Sequence, residues 1–282
     1  MNSIRLHDRL FSLDSPKVMA ILNVTPDSFY AGSRVGCREA AEERVRRFIE
    51  EGADMIDIGG YSSRPGADDV SPDEEFHRLA QGIEATRRFA PELPVSVDTF
   101  RSDVARKCVE EFGVEIINDI GGGDLDPKMF ETVAELGCAY ILMHMRGTPA
   151  TMQQMTDYDD VTAEVLSDMS RKIARLRQLG VADVIADPGF GFAKTTAGNF
   201  KLMRDLKAFR LLDAPLLVGI SRKTMIWKTL GITPDQAGNG TTVLNTMALM
   251  NGADILRVHD VRPAVEAIKL VAAYNNATAE TV

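Results

Sequence analysis

Residues 95–118, VSVDTFRSDVARKCVEEFGVEIIN, contain the unit that decides the fold. A short β-branched run, Val95–Val97, leads into an amphipathic stretch that ends at Phe112 and Gly113, and a second strand-like run, Glu115–Asn118, follows. Short runs of this kind separated by helical stretches are typical of βαβ units on a parallel sheet. The segment therefore predicts a strand, a helix and a second parallel strand.

The same alternation recurs along the chain, and we count eight strand–helix pairs. The predicted strands are Val18–Val24, Met55–Ile58, Val95–Val97, Glu115–Asn118, Tyr140–Met143, Val184–Ala186, Leu216–Gly219 and Ile255–Val258. Among the amphipathic stretches that predict helices are Arg38–Glu51, Pro72–Arg88 and Val161–Leu179. Near-continuously apolar strands are typical of a sheet buried on both faces.

Eight pairs predict an α/β fold, a single (β/α)8 TIM barrel with its active site at the C-terminal ends of the strands. An open doubly wound sheet is the alternative, but no GxGxxG sequence follows the first strand to support a dinucleotide fold. The length of 282 residues suits one barrel domain over residues 1–282, with a short flexible tail at 277–282.

The bulk composition excludes several classes of protein. A net charge of -9 and a pI near 5.1 oppose binding to nucleic acid or to an anionic membrane. The N-terminal segment carries charges throughout, unlike a signal peptide, and no later segment is apolar enough to span a bilayer. Cys37, Cys108 and Cys138 lack metal-site or redox spacing. We therefore expect a cytoplasmic protein that binds neither nucleic acid nor membrane.

Polar residues gather where the predicted strands end. They are Asn23, Asp57, Asp98, Asn118, His144, Asp187, Lys223, Arg257 and His259. Any one of them alone could simply cap a helix or tie a turn, so the inference depends on the whole set. Asp98, Asn118 and Asp187 suit a flat heterocycle rich in N–H donors, and a second, cationic group suits phosphate oxygens. The cationic group comprises Arg64, Lys223, Arg257 and His259.

Eight motifs, each at a predicted strand end, resemble the dihydropteroate synthase family in order and along nearly the whole chain. They are ILNVTPDSF (21–29), DIGGYSSRPGA (57–67), SVDT (96–99), IIND (116–119), LMHM (142–145), DPGFGF (187–192), GISRK (219–223) and RVHD (257–260). The resemblance implies a pterin-binding barrel that joins p-aminobenzoate to a dihydropterin diphosphate, with Mg2+ on the diphosphate. It also implies a homodimer, since relatives commonly pair through helices late in the barrel.

The same resemblance implies the roles of individual residues. The pterin would be held by Asp98, Asn118, Met143, Asp187, Phe192 and Lys223. The diphosphate would be held by Asn23, Ser63, Arg64, Arg257 and His259, with Asn23 meeting the metal. The p-aminobenzoate pocket would be built from Thr25, Pro26, Phe29, Ser63, Pro65, Ser221 and Lys223. The residues expected to take part in catalysis are Asp98, Lys223, Arg64, Arg257 and His259.

The chain departs from the family pattern in two loops and one turn. Tyr61 and Ser63 stand where the family usually has Glu and Thr, and Ala193 precedes Lys194 where the family often has Gly. Residues 30–33, YAGS, replace the commoner Ser-Asp-Gly-Gly. Ser63 keeps the hydroxyl of Thr, so its role is expected to survive, whereas the effect of Tyr61 on loop anchoring stays open.

The residues predict dissociative chemistry without a nucleophile–base pair. Diphosphate leaves, Asp98 stabilises the pterin cation and the weakly basic aromatic amine attacks. Residues around Pro26 and Arg64 are expected to close as a lid. A methyltetrahydrofolate-dependent methyltransferase and a noncatalytic pterin-binding protein are the alternatives. A metal-centred hydrolase is disfavoured because the four histidines form no H-x-H or HExxH pair.

Overall fold

The computed structural model describes residues 3–25, 34–61 and 70–277, with only the backbone of residues 34–37. In this part of the chain β1 (Ser3–Leu6) and β2 (Arg9–Ser12) form an antiparallel hairpin. A parallel sheet of eight strands follows. Its strands are β3 (Lys17–Asn23), β4 (Met55–Gly59), β5 (Val95–Asp98), β6 (Ile116–Asp119), β7 (Ala139–Met143), β8 (Val184–Asp187), β9 (Leu217–Val218) and β10 (Ile255–Val258).

The sheet closes on itself. Its strand order is β8-β7-β6-β5-β4-β3-β10-β9, and a parallel bridge between Ala186 and Leu216 joins the two outer strands. The amide of Ala186 donates to the carbonyl oxygen of Pro215 at 2.8 Å across the same seam. The predicted TIM barrel is therefore confirmed, and the open-sheet alternative is wrong. Each predicted strand end lies within one residue of the observed one.

Helices lie between successive strands of the barrel. Those in the described residues are α1 (Arg34–Glu51), α2 (Pro72–Phe89), α3 (Ser102–Phe112), α4 (Met129–Leu136), α5 (Val161–Gln178), α6 (Thr196–Arg204), α7 (Thr224–Leu230), α8 (Gly238–Met250) and α9 (Val261–Asn276). Short 3-10 helices cover Met152–Gln154, Leu206–Leu212 and Pro234–Gln236. The predicted helices differ little from these, except that α1 begins four residues earlier than the apolar pattern indicated.

Successive side chains of each strand point alternately outward and inward. Val18, Ala20 and Leu22 of β3 point outward and belong to the main core between sheet and helices. Met19 of β3 and Met55 of β4 point inward. This alternation explains why the strands are apolar throughout: one face packs on the helices and the other fills the barrel.

The β1–β2 hairpin covers the N-terminal end of the barrel. Ile4, Leu6 and Leu13 pack with the first inward side chains of the strands, including Met19 and Met55. Sequence reasoning did not predict this hairpin, because two four-residue strands give too short an alternation to recognise. With one end filled by apolar side chains, the open end is at the C-termini of the strands.

Candidate active site

The inward-facing residues change from apolar to polar along several of the strands. In β4 the inward series runs from Met55 to Asp57, and in β10 it runs from Ile255 to Arg257. Because parallel strands end at the same mouth, this second layer forms one polar surface. Its members are Asn23, Asp57, Asp98, Asn118, Asp187 and Arg257. The structure thus brings six of the nine predicted strand-end residues together on this surface, whereas His144 lies outside it.

Arg257 is the centre of this surface. Its Nε donates to Asp57 Oδ2 at 2.6 Å, and its Nη2 donates to Asp98 Oδ2 at 2.7 Å. Asn118 Nδ2 donates to the same Asp57 oxygen at 3.0 Å. Burial lowers the pKa of Arg257, but the carboxylates of Asp57 and Asp98 raise it further than burial lowers it. The guanidinium is therefore a permanent cation held between two strands.

Asp98 has an unusual protonation equilibrium. Burial raises the pKa of Asp98 to about 7, the Arg257 guanidinium opposes that rise, and the carboxylate of Asp57 adds to it. Asp57 is fully buried, and its Oδ1 has no hydrogen-bond partner among the described residues. Two carboxylates close to one guanidinium leave surplus negative charge, which suits a site that stabilises a cation.

Asp187 and Lys223 form a second charged group. Asp187 is buried and its Oδ1 accepts from the amide of Gly189 at 2.8 Å. Lys223 Nζ donates to the carbonyl oxygen of Phe190 and lies 4.6 Å from the ring centroid of Phe192. Burial raises the pKa of Asp187 and lowers the pKa of Lys223 to about 8. An acid, an ammonium and an aromatic face therefore meet at the end of β8.

His259 and Ser221 form a third group. His259 Nδ1 lies 3.0 Å from Ser221 Oγ, and the His259 amide donates to the same oxygen at 3.3 Å. Burial lowers the pKa of His259 to about 4, so its imidazole is neutral at pH 7. Lys223 is the residue at the N-terminus of α7, so Ser221 does not cap that helix. Ser221 instead connects the loop after β9 to the end of β10.

A small apolar cluster borders the polar surface, separate from the two larger cores. Its buried members are Ile120, Met143, Met145, Met152 and Ala193, and Phe100, Leu125 and Phe192 pack against it. Met143 and Phe192, predicted to contact a ring, lie in this cluster at the mouth and not in the main core. A flat ligand would find one apolar side and one hydrogen-bonding side here.

Two residues beside the surface have left-handed backbone conformations. Arg222 has φ 56° and Ala193 has φ 50°, values that non-glycine residues adopt at a cost of about 1 kcal/mol. Arg222 donates from Nε and Nη2 to both oxygens of Asp260, at 2.9 and 3.0 Å. This bidentate pair fixes the segment that carries Ser221 and Lys223.

Asn23 is the residue predicted to meet a metal ion. In residues 3–25, 34–61 and 70–277, no group of three or more His, Cys, Asp or Glu side chains could hold one. Asn23 Oδ1 lies 3.2 Å from where a β-carbon on Gly59 would stand, so Gly59 leaves space beside that amide oxygen. One amide oxygen fits Mg2+ that arrives with a diphosphate and keeps most of its water. Thr25 follows at the same end of β3.

Five predicted site residues lie outside the described residues: Pro26, Phe29, Ser63, Arg64 and Pro65. Sequence reasoning also overlooked two contributions that the structure shows. Asp57 stood among the strand-end residues but received no role, although it binds both Arg257 and Asn118. The alternation of side chains along β4 could have identified Asp57, because it places Asp57 on the same inward face as Met55. Lys194 is buried behind the 189–192 turn, and nothing in the sequence indicated a role for it apart from its position just after the DPGFGF motif.

The other histidine and cysteine side chains that the structure describes take no part in the polar surface. His7 and His77 are exposed, and His144 is buried beside Lys194. Cys108 and Cys138 are free and buried, and burial raises the pKa of each thiol to about 12, so neither is a reactive thiolate. Cys37 lies where only the backbone is described. None of the described helices is both long and apolar enough to cross a membrane.

Comparison with known proteins agrees with this geometry. Residues 19–259 match the pterin binding enzyme family. The dihydropteroate synthase of Escherichia coli (strain K12) is 44% identical over 264 residues, 93% of this chain and 92% of that protein.

Two solved structures also match over nearly their full length. A Yersinia pestis dihydropteroate synthase with a sulfonamide drug complex has a TM-score of 0.90 and 38% identity, covering 98% of this chain and 100% of the other. A Xanthomonas albilineans dihydropteroate synthase with 4-aminobenzoic acid has a TM-score of 0.90 and 38% identity, covering 98% and 99%. The resemblance inferred from the motifs is confirmed: the chain belongs to the pterin-binding enzymes and, within them, to the dihydropteroate synthases, which are transferases.

Proposed function

We propose that this chain joins p-aminobenzoate to 6-hydroxymethyl-7,8-dihydropterin diphosphate, giving 7,8-dihydropteroate and diphosphate, with Mg2+ on the diphosphate. Family membership supports the reaction. The observation that carries the residue roles is the Arg257 centre, in which one guanidinium binds both Asp57 and Asp98 at the open end of the barrel. The surplus carboxylate charge there faces the place where a pterin cation would form.

The pterin ring would bind between the acids and the apolar cluster. Asp98, Asn118 and Asp187 supply acceptors for the ring N–H groups, and Lys223 supplies a donor. Met143 and Phe192 would contact the ring faces from the adjoining cluster. A buried carboxylate that binds two adjacent N–H groups selects an aminopyrimidine edge over rings that lack one.

The chemical step is a substitution at the pterin methylene carbon. The bond from that carbon to the diphosphate oxygen breaks, the electron pair leaves with diphosphate, and the ring delocalises the positive charge. Asp98 stabilises that charge in its carboxylate form. The amine nitrogen of p-aminobenzoate then forms the new C–N bond and releases a proton. An aniline nitrogen needs no strong general base, which agrees with the lowered pKa of His259, about 4, because that pKa makes its imidazole a weak base.

The leaving diphosphate would lie over Arg257 and His259, with Arg64 and Ser63 contributing from outside the described residues. Arg257 is a permanent cation, and His259 would donate one hydrogen bond from Nε2 because its Nδ1 faces Ser221. Asn23 would meet a Mg2+ ion whose charge makes the diphosphate a better leaving group.

The second substrate would enter between the loop after β9 and the segment after β3. Ser221, Lys223 and Thr25 border that space in the described part of the chain. Pro26, Phe29, Ser63 and Pro65 would complete it. Sulfonamides mimic p-aminobenzoate, so we propose that they occupy the same place here and depend on Phe29 and Pro65.

The deciding experiment measures diphosphate release from 6-hydroxymethyl-7,8-dihydropterin diphosphate with Mg2+, with and without p-aminobenzoate, and identifies the product. Amine-dependent release with 7,8-dihydropteroate formed is the expected result. Binding without release would instead establish a noncatalytic pterin-binding protein. Methyl transfer from methyltetrahydrofolate to a corrinoid partner would establish the methyltransferase alternative.

We also propose a homodimer formed through the last helices. Apolar side chains are exposed along α7, α8 and α9, among them Leu230, Val243, Met247, Met250, Leu270 and Tyr274. Isolated exposed apolar residues are ordinary, but several on consecutive helices indicate a contact surface. Light scattering of the parent and of Met247→Glu tests this, since a charge at the interface should shift the mass toward a monomer.

We propose that the protein is cytoplasmic. The free thiols of Cys108 and Cys138 support a reducing compartment. We propose that residues 1–282 form one domain, because the hairpin at the start packs against the barrel strands and α9 packs beside β3.

A further inference from the structure

Lys194 is a buried lysine that the proposed chemistry does not use. Only 6% of its surface is exposed, whereas lysine is almost never fully buried unless its charge is satisfied. Burial lowers the pKa of its ammonium group to about 7. Removing an ammonium group from water is costly, so the hydrogen bonds of the buried Lys194 ammonium group must offset that cost.

Those contacts all go to two short segments at the mouth of the barrel. Lys194 Nζ donates to the carbonyl oxygens of Gly189 and Phe192, both at 2.9 Å. It also lies 3.1 Å from His144 Nδ1 and 3.4 Å from the His144 carbonyl oxygen. The burial-lowered pKa of His144, about 2, leaves that imidazole neutral and able to accept. Lys194 therefore ties the 189–192 turn to the end of β7.

The turn that Lys194 holds carries the groups that face the pterin position. Its Phe190 carbonyl oxygen accepts from Lys223, and its Phe192 ring lies under the Lys223 ammonium. Its first amide, Gly189, donates to Asp187. A displacement of this turn would move Lys223 and Phe192 together. It would also disturb the hydrogen bond from the Gly189 amide that orients the Asp187 carboxylate.

The turn packs closely against His144 and is also held by Asn199. A β-carbon on Gly189 would lie 2.0 Å from the carbonyl oxygen of His144, so only glycine allows this approach. Asn199, buried in α6, accepts from the Gly191 amide at 2.7 Å. Lys194 and Asn199 thus both hold this turn, and neither belongs to the polar surface.

We propose that Lys194 is a positioning residue for pterin binding: through its hydrogen bonds to the turn and to His144, it fixes the place of Phe192 and of the acceptor for Lys223. The inference rests on the proposed function, because it concerns the same ring site. Lys194 acts through the turn and touches neither substrate.

The test compares Lys194→Met, which removes the donors at similar length, with Lys194→Gln, which keeps two N–H donors. Lys201→Met is the matched control, since Lys201 lies in α6 and binds Asp160 and Asp205 away from the turn. For each variant we measure kcat, both KM values, the melting temperature and the calorimetric Kd for 6-hydroxymethylpterin.

Loss of this supporting contact should raise the pterin KM and Kd of Lys194→Met by roughly 10- to 100-fold, the range known for losing a hydrogen-bond partner that orients a metal ligand. The KM for p-aminobenzoate should change far less. Lys194→Gln should recover part of the loss, and Lys201→Met should match the parent.

An unchanged pterin Kd in Lys194→Met, with or without a lower melting temperature, would overturn the inference and leave a purely structural lysine. If Lys194→Met does not fold, Lys194→Gln and Asn199→Ala decide the question. A raised pterin Kd in both variants supports positioning, whereas an unchanged pterin Kd in either variant overturns it. A parent that binds pterin but transfers nothing would defeat the proposed reaction alone, because the calorimetric comparison needs no turnover.

Discussion

The two ends of the barrel are made from the same strands, yet different interactions fill them. At the N-terminal end Leu6 and Ile4 pack against inward residues such as Met19 and Met55. At the C-terminal end, two residues further along β4, the next inward residue is Asp57, which belongs to the polar surface.

Within one strand, inward positions about two residues apart therefore have different roles: the first stabilises the fold and the second belongs to the candidate site. Apolar contacts at the closed end gain free energy from burial without directional demands. At the open end, buried charges are costly unless each finds a partner, and Arg257 satisfies two carboxylates at once. The polar end therefore costs stability that the apolar end offsets, and substitutions at the two ends should have different consequences.

The largest effect is expected at Arg257. Replacing it by Met leaves Asp57 and Asp98 as buried carboxylates without their counter-ion, and removing one partner of a buried pair typically costs about 3–5 kcal/mol. We expect kcat/KM to fall by about 10³-fold or more, since a cation at the leaving group is lost too. Steady-state kinetics and urea unfolding measure the two effects.

Arg210→Met is the matched control for Arg257. Arg210 pairs with Asp254 at the start of the same strand, and half of its side chain is exposed. It should change stability by about 1 kcal/mol or less and activity hardly at all. Equal activity losses in the two variants would remove the functional distinction between the ends.

Asp98→Asn is expected to give the next largest effect, a fall in kcat of about 10²- to 10³-fold, because the cation loses its nearest carboxylate. The pKa of Asp98 is raised to about 7, so the parent holds a neutral acid below that pH and a carboxylate above it. The kcat/KM of the parent should therefore rise with pH through about 7, and Asp98→Asn should lack that limb. A full single-turnover rate in Asp98→Asn would disprove the cation-stabilising role.

Substitutions at the closed end should affect stability without affecting chemistry. Leu6→Ala empties a fully buried position in the hairpin cluster and should cost about 2–5 kcal/mol. Both KM values should stay at the parent values, measured below the melting temperature. Leu10→Ala, at an exposed position of the same hairpin, is the control and should be nearly neutral. A changed pterin KM in Leu6→Ala would show that the two ends are coupled.

A further, pH-dependent effect concerns acid stability at the open end. Burial lowers the pKa of His144 to about 2, whereas the unfolded chain has a value near 6.5. As pH falls below 6.5, the unfolded state binds a proton that the folded state rejects, so His144 favours unfolding increasingly down to its folded pKa. Asp98, with its raised pKa, acts in the opposite direction from about pH 7 to 4.

A variant isolates the histidine contribution from that of Asp98. His144→Gln keeps an acceptor for Lys194 but does not titrate. We expect the melting temperature of His144→Gln to improve relative to the parent as pH is lowered from 6.5 to 4. A constant difference across that range would mean that His144 is protonated in the folded state.

Much of this molecule follows from local sequence. The eight strands were predicted within one residue, because runs buried on both faces are apolar without interruption. The glycines after α3 and α4, Gly113 and Gly137, have the left-handed conformation that the end of a helix favours. The meeting of Asp98, Asn118 and Asp187 at one mouth was also predictable, since each of them ends a parallel strand.

Other features needed the folded chain. Arg257 binds Asp57 and Asp98 across separations of 200 and 159 residues, and no local pattern specifies which carboxylate a cation will reach. Lys194 looks like an ordinary surface lysine until the turn folds around it. Sequence by itself determined the strand–helix alternation, because burial sets a period that can be read locally. Tertiary structure alone decided the charge pairing, because closing the barrel brings distant strand ends within hydrogen-bonding distance.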